Sequence, residues 1–187
     1  MLDKLLSLDT QLFVFLNGLG STFYDEFWLF VTKQFNWIPF FIILLYTVYK
    51  RIGGKQTLYV LLFIGGLILF TDQCTNLFKS GFQRLRPCNN PEIKTIIRIV
   101  QSRSSYSFFS GHAANSMAAA MFLYHVLKPY FRYTILLFLW PLIFAYSRIY
   151  LGLHYPLDIL CGYLFGMITG FIAYKIYQFT QIKYFPL

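Results

Sequence analysis

A chain of 187 residues that is 57% hydrophobic, 21% aromatic and only 12% charged falls far below the roughly 25% charged residues of a soluble globular domain, and that class is excluded. The net charge of +9 would suit nucleic acid, but the basic residues form neither a Lys/Arg block nor one face of an amphipathic helix. They lie between apolar stretches of about twenty residues, the length that crosses a bilayer. The composition specifies an integral membrane protein: one all-α, polytopic helix bundle over residues 1–187, with five to six transmembrane helices, five being the preferred count.

Residues 1–20 set Leu2, Leu5, Leu6, Leu8, Leu12, Phe13 and Leu16 along a helical stripe. Asp3 and Asp9 interrupt it and no basic start precedes it, so it reads as an amphipathic helix on the membrane interface and not as a cleaved signal. Asp25 and Glu26 mark a helix start. The first span is expected at Phe27 to Tyr49, kinked or partly outside lipid where Lys33, Asn36 and Pro39 interrupt it. Further spans follow at Thr57 to Phe78, Gly111 to Leu127, Tyr133 to Tyr150 and Pro156 to Tyr177, helical because backbone groups in lipid must be satisfied within their own segment. Asp72 would cost about 2.5–3.5 kcal/mol at mid-membrane, so it is expected to face the bundle as a buried structural partner. Residues 79–110 form a polar loop of roughly thirty residues, a length that marks functional loops. Cys74, Cys88 and Cys161 make neither a disulfide framework nor a metal set and read as structural.

Lys50, Arg51 and Lys55, Lys128 and Arg132, and Lys175 and Lys183 all fall on one side of a five-span arrangement. By the positive-inside rule that side is cytoplasmic, which places loop 79–110 and the turn around His154 on the extracytoplasmic side of the plasma (inner) membrane. The long loop nonetheless carries Lys79, Arg84, Arg86, Lys94, Arg98 and Arg103. Six basic residues against the rule call for an anionic substrate.

Three clusters meet at that end of the bundle. KSGFQRLRP carries Lys79 and Arg86; SGH opens the third span with Ser110, Gly111 and His112; SRIYLGLHYPLD carries Ser147, Arg148, His154 and Asp158. Lys79, Arg86 and Arg148 suit a tetrahedral oxyanion, the arginines through planar forks. Ser110 and Gly111 would add free backbone N–H groups at a helix start. Neutral imidazole attacks phosphorus, so His154 is the candidate nucleophile, with Asp158 fixing its tautomer and His112 protonating the leaving oxygen and then activating water. Three histidines without ligand spacing exclude a metal site of the usual kind. His125 lies at the opposite end, as interfacial packing.

Lys79 with Arg86-Pro87, Ser110-Gly111-His112, and Ser147-Arg148 with His154 and Asp158 together resemble the type 2 phosphatidate phosphatase superfamily, which also holds vanadium haloperoxidases and glucose-6-phosphatases. The resemblance implies metal-independent hydrolysis of a phosphomonoester or pyrophosphate through a phosphohistidine on His154, with His112 as general acid, no cofactor and no nucleic-acid partner. One position departs: Phe109 stands where the family has proline, which leaves the turn into the helix without its fixed backbone angle. The partner is a phosphorylated lipid in the membrane, with undecaprenyl pyrophosphate the first expectation and phosphatidylglycerol phosphate, phosphatidate and lipid A the alternatives. A non-catalytic phospholipid-binding or transport protein and a vanadate-dependent haloperoxidase are the competing classes.

Overall fold

The computed structural model describes residues 2–184, and among them the chain forms six α-helices and no strand. They are α1 (Leu2–Gly18), α2 (Asp25–Val31), α3 (Ile38–Phe82), α4 (Gly111–Leu127), α5 (Leu139–Tyr150) and α6 (Pro156–Tyr184). Helix α3 is bent at Gly53, whose φ of 79° is open to glycine. Its two arms run antiparallel, since Val48 and Val60 near the bend, and Phe41 and Ile68 farther from it, line one groove.

The first span departs from expectation. Helix α2 ends at Val31, a 3-10 turn covers Gln34–Trp37, and the crossing helix begins at Ile38 with Pro39 in its first turn, where the missing N–H does no harm. At the other end α3 continues to Phe82, so the long connection starts at Gln83 and not at Lys79. Two segments, Gln34–Asn89 and Pro156–Lys183, are long and apolar enough to cross a membrane. Lipid-side residues such as Leu62, Leu69 and Leu77 on α3 and Leu164, Ile168 and Ile172 on α6 are exposed apolar groups, a girdle that a bilayer would cover.

Helix α4 is the central element. Gly162, Gly166 and Gly170, one turn apart on α6, pack on Ala113, Ala114, Met117 and Ala118. The small surfaces bring the backbones together: a Cβ on Gly166 would stand 2.4 Å from the Ala114 carbonyl oxygen. Arg51 lies over the Phe131 ring at 4.8 Å, and Tyr59 bonds Thr180, which gathers the Lys50–Lys55, Lys128–Arg132 and Lys175 cations at the end opposite His154.

One further residue departs from its reading. Asp72 is exposed and accepts from Asn76 Nδ2 at 3.3 Å; Leu67, Thr71 and Thr75 form the inward stripe of that arm, and Asp72 lies about 100° around the helix from Thr71. Cys88 is buried in a cluster with Tyr150, Leu151 and Leu153 and is closed to reagents despite its loop position. In α1 the protein-facing residues are Asp9, Phe13 and Asn17, while Leu2, Leu5, Leu8 and Leu12 point outward.

Candidate active site

The turn between α5 and α6 carries His154, 1% exposed, just ahead of Pro156 at the start of α6. One turn on, Asp158 is fully buried. Arg86 donates through Nη1 to His154 Nε2 at 2.9 Å. A guanidinium cannot accept, so Nε2 is the unprotonated nitrogen and the ring proton sits on Nδ1. Nδ1 faces Asp158 Oδ2 at 3.5 Å, long for a direct hydrogen bond. Ser107 fills the interval: its Oγ is 3.3 Å from Nδ1 and donates to Asp158 Oδ2. Burial, reinforced by the Arg86 charge and opposed by Asp158, pushes the pKa of His154 down to about 3, so the ring is neutral.

Arg86 and Arg148 are 3% and 2% exposed. Among the described residues, Arg86 bonds uncharged acceptors, the Ser105 and Leu153 carbonyls, Ser105 Oγ and His154. Arg148 donates from Nη1 to Thr32 Oγ1 at 2.5 Å, and its buried Nε has no partner among the described residues. Neither pairs with a carboxylate among the described residues. Two buried guanidiniums left this way are uncompensated charge, which an anion would balance. Lys79 Nζ closes on the same helix end, 3.8 Å from where a side chain on Gly111 would begin.

Ser110 is placed differently from its expected role. Its N–H donates to the Asp158 carbonyl at 3.0 Å and its Oγ caps Ala113 N at 3.4 Å. The free donors of the α4 start are therefore the N–H groups of Gly111 and His112. His112 stacks on Phe144 at 5.1 Å, and the cations that act on its ring are Arg148, Arg103 and Lys79. Ser147 turns away, its hydroxyl bonded to the Phe144 carbonyl at 2.6 Å. From His112 an apolar groove of about 320 Å³ runs between the arms of α3, α4 and α5, past Trp140 and Phe144 to Leu123.

Phe109 enters the protein interior, 3% exposed, with Phe78 and Phe165 at 5.1 and 5.0 Å. Ser110 behind it keeps extended backbone angles (φ −69°, ψ 113°) and caps α4. Aromatic packing between α3 and α6 thus holds the turn that lacks proline.

Five further residues shape the site. Thr32 holds Arg148 and Ser107 joins Asp158 to His154; nothing in their sequence neighbourhood marks either. Arg84 and Arg103 stood out only as loop cations, and Asp9 only as an interruption in a leucine stripe. Arg84 donates to Asp158 Oδ1 and to Asp9 Oδ2, each at 2.7 Å. Arg98, another of the six loop cations, is taken by Asp25 at 2.8 Å. An anionic substrate therefore accounts for only part of the basic excess.

The sequence profile of the PAP2 superfamily matches residues 56–182. A lipid A 4′-phosphatase of Bacteroides thetaiotaomicron is 36% identical over 94% of this chain and 80% of that protein. One of Porphyromonas gingivalis is 27% identical over 98% and 78%, and an undecaprenyl-diphosphatase of Sulfolobus acidocaldarius 28% identical over 81% and 68%. Among solved structures, a PAP2-type phosphatidylglycerolphosphate phosphatase from Bacillus subtilis superposes with a TM-score of 0.72 at 20% identity, over 98% of this chain and 90% of that one. LpxE of Aquifex aeolicus gives 0.65 at 25% identity, over 90% and 95%.

Proposed function

From the premise that the chain belongs to the PAP2 superfamily and is a lipid phosphatase, a phosphoric ester hydrolase, we propose that its substrate is the 4′-phosphate of a lipid A. This replaces undecaprenyl pyrophosphate as the first reading. Two relatives matched over nearly the whole chain are lipid A 4′-phosphatases, while the undecaprenyl-diphosphatase matches less of it. The observation that carries the reading is the pair of buried, carboxylate-free guanidiniums of Arg86 and Arg148 beside His154, opening at His112 into an apolar groove. A phosphate on a hydrocarbon-bearing carrier answers both features.

The phosphate lies among Arg86, Arg148 and Lys79, with the N–H groups of Gly111 and His112 on its helix side. Phosphate oxygens accept from Arg86 and release the lone pair of His154 Nε2, which attacks phosphorus in line with the ester oxygen. His112 protonates that oxygen as it leaves. The Nδ1–H, through Ser107 and Asp158, stabilises the positive ring of the phosphohistidine. Water activated by His112 then attacks phosphorus and restores His154. The groups around the phosphate are cations and imidazoles, which makes the reaction independent of metal. The reading takes five crossings with α1 on the interface and the site at the extracytoplasmic face of the inner membrane; the cations gathered at the other end support it.

The test is phosphate release by the purified protein in detergent, with EDTA, from lipid A, undecaprenyl pyrophosphate, phosphatidylglycerol phosphate and phosphatidate. The expected result is fastest release from lipid A, inhibition by vanadate and loss of at least about a thousandfold in His154→Ala. Faster release from undecaprenyl pyrophosphate would reinstate that substrate; binding without release from any of the four would make the chain a binding protein.

A further inference from the structure

Asp158 has a soft χ2, because a terminal sp³–sp² torsion lacks sharp wells. A carboxylate that must present one oxygen toward His154 therefore needs to be held at both oxygens. Oδ2 accepts from Ser107 Oγ and from Tyr155 N at 3.0 Å. Oδ1 has Arg84 Nη1 at 2.7 Å. Arg84 is itself locked: its Nη2 donates to Asp9 Oδ2 at 2.7 Å, and its plane lies over the Tyr155 ring at 3.9 Å. The second oxygen of Asp9 accepts Leu157 N at 2.8 Å, an otherwise orphaned donor in the first turn of the helix that bears Asp158. Asp9 belongs to α1, 149 positions before Asp158 in the chain, and is 6% exposed.

We propose that α1 is a working part of the active site, with Asp9 and Arg84 as positioning residues that orient the Asp158 carboxylate toward His154. Asp9 fixes the guanidinium plane and caps α6 from outside its own chain segment; Arg84 transmits that constraint to Oδ1. Arg84 also stands between two buried carboxylates that would otherwise repel each other. The outward leucines of α1 face lipid while its polar face grips the site, so the surface helix ties the membrane plane to the catalytic carboxylate.

The proposal rests on the phosphatase reading. Its test compares kcat, KM, the vanadate inhibition constant and the melting temperature of the wild type with those of Asp9→Asn, Arg84→Met, Arg84→Lys and the Asp9→Asn/Arg84→Met double variant, using lipid A and phosphatidate in mixed micelles. Arg84→Met is expected to lower kcat about tenfold to a hundredfold, with KM and vanadate inhibition within about twofold of wild type. Arg84→Lys recovers part of the loss. Asp9→Asn alone lowers kcat less, and adds nothing in the Arg84→Met background, because the two act as one unit. Losses that follow the melting temperature and vanish on cooling, or additive losses, would overturn the positioning role and leave the phosphatase reading intact. A wild type that releases phosphate from neither lipid overturns both.

Discussion

His154 is buried with its unprotonated Nε2 toward Arg86, and burial holds its pKa near 3, well under the ordinary 6.5. Two consequences follow at the residue scale. His154, the nucleophile we propose, stays neutral throughout pH 5 to 8, so no acid limb of kcat/KM in that range belongs to it. The unfolded chain, by contrast, takes up a proton at this histidine as pH falls through about 6.5, while the folded chain resists until about 3. Stability from this group is complete above pH 6.5 and is lost progressively toward pH 3. The expected measurement is a melting temperature in detergent that falls between pH 7.5 and 5, with a shallower fall in His154→Gln. An equal slope in the variant would assign the effect to other groups. The motif residues Lys79, Arg86, Gly111, His112, Arg148, His154 and Asp158 are legible in sequence because each motif is local. Ser107, Thr32, Arg84 and Asp9 are not, because their importance comes from contacts across the fold.

Among the elements, α4 and α6 form the tightest pair, and the glycines of α6 are the reason. A side chain at Gly166 meets the Ala114 carbonyl and Met117 at 2.4 and 3.0 Å, whereas one at Gly65 on α3 meets nothing within 4 Å. Gly166→Leu is expected to destabilise by about 2–3 kcal/mol through overpacking. Gly65→Leu gains helix propensity and is expected to stabilise slightly. Thermal unfolding in one detergent compares the two; equal melting temperatures would show that the α4–α6 contact is not close in solution. The alanines of α4 announce close packing from sequence, but only the fold shows which helix approaches them. Helix α1 carries the same lesson: its leucines are a readable stripe, yet they face away from the protein, and the gripping face is Asp9, Phe13 and Asn17.

At the scale of the whole molecule, the bend at Gly53 opens α3 into two arms, and the space between them and α4 is the groove that begins at His112. From His112 to Leu123 the groove follows α4 for about 16 Å at 1.5 Å per residue, the depth of roughly one bilayer leaflet. A groove of that depth takes most of one extended acyl chain. Ala119 lines its middle. Ala119→Phe is expected to raise KM several-fold for long-chain phosphatidates and to leave six-carbon ones unchanged; equal increases for both would place the lipid chain elsewhere. The sequence by itself determined the membrane class, the helical content and the three local motifs that we assign to phosphate, because hydropathy and motif spacing are properties of neighbouring residues. The tertiary structure alone decided which loop cations face the site and which are paired away, that Ser107 lies between Asp158 and His154, and that the N-terminal helix reaches the Asp158 carboxylate through Arg84. Those contacts join residues tens to more than a hundred positions apart, and helix packing, not local pattern, brings them together.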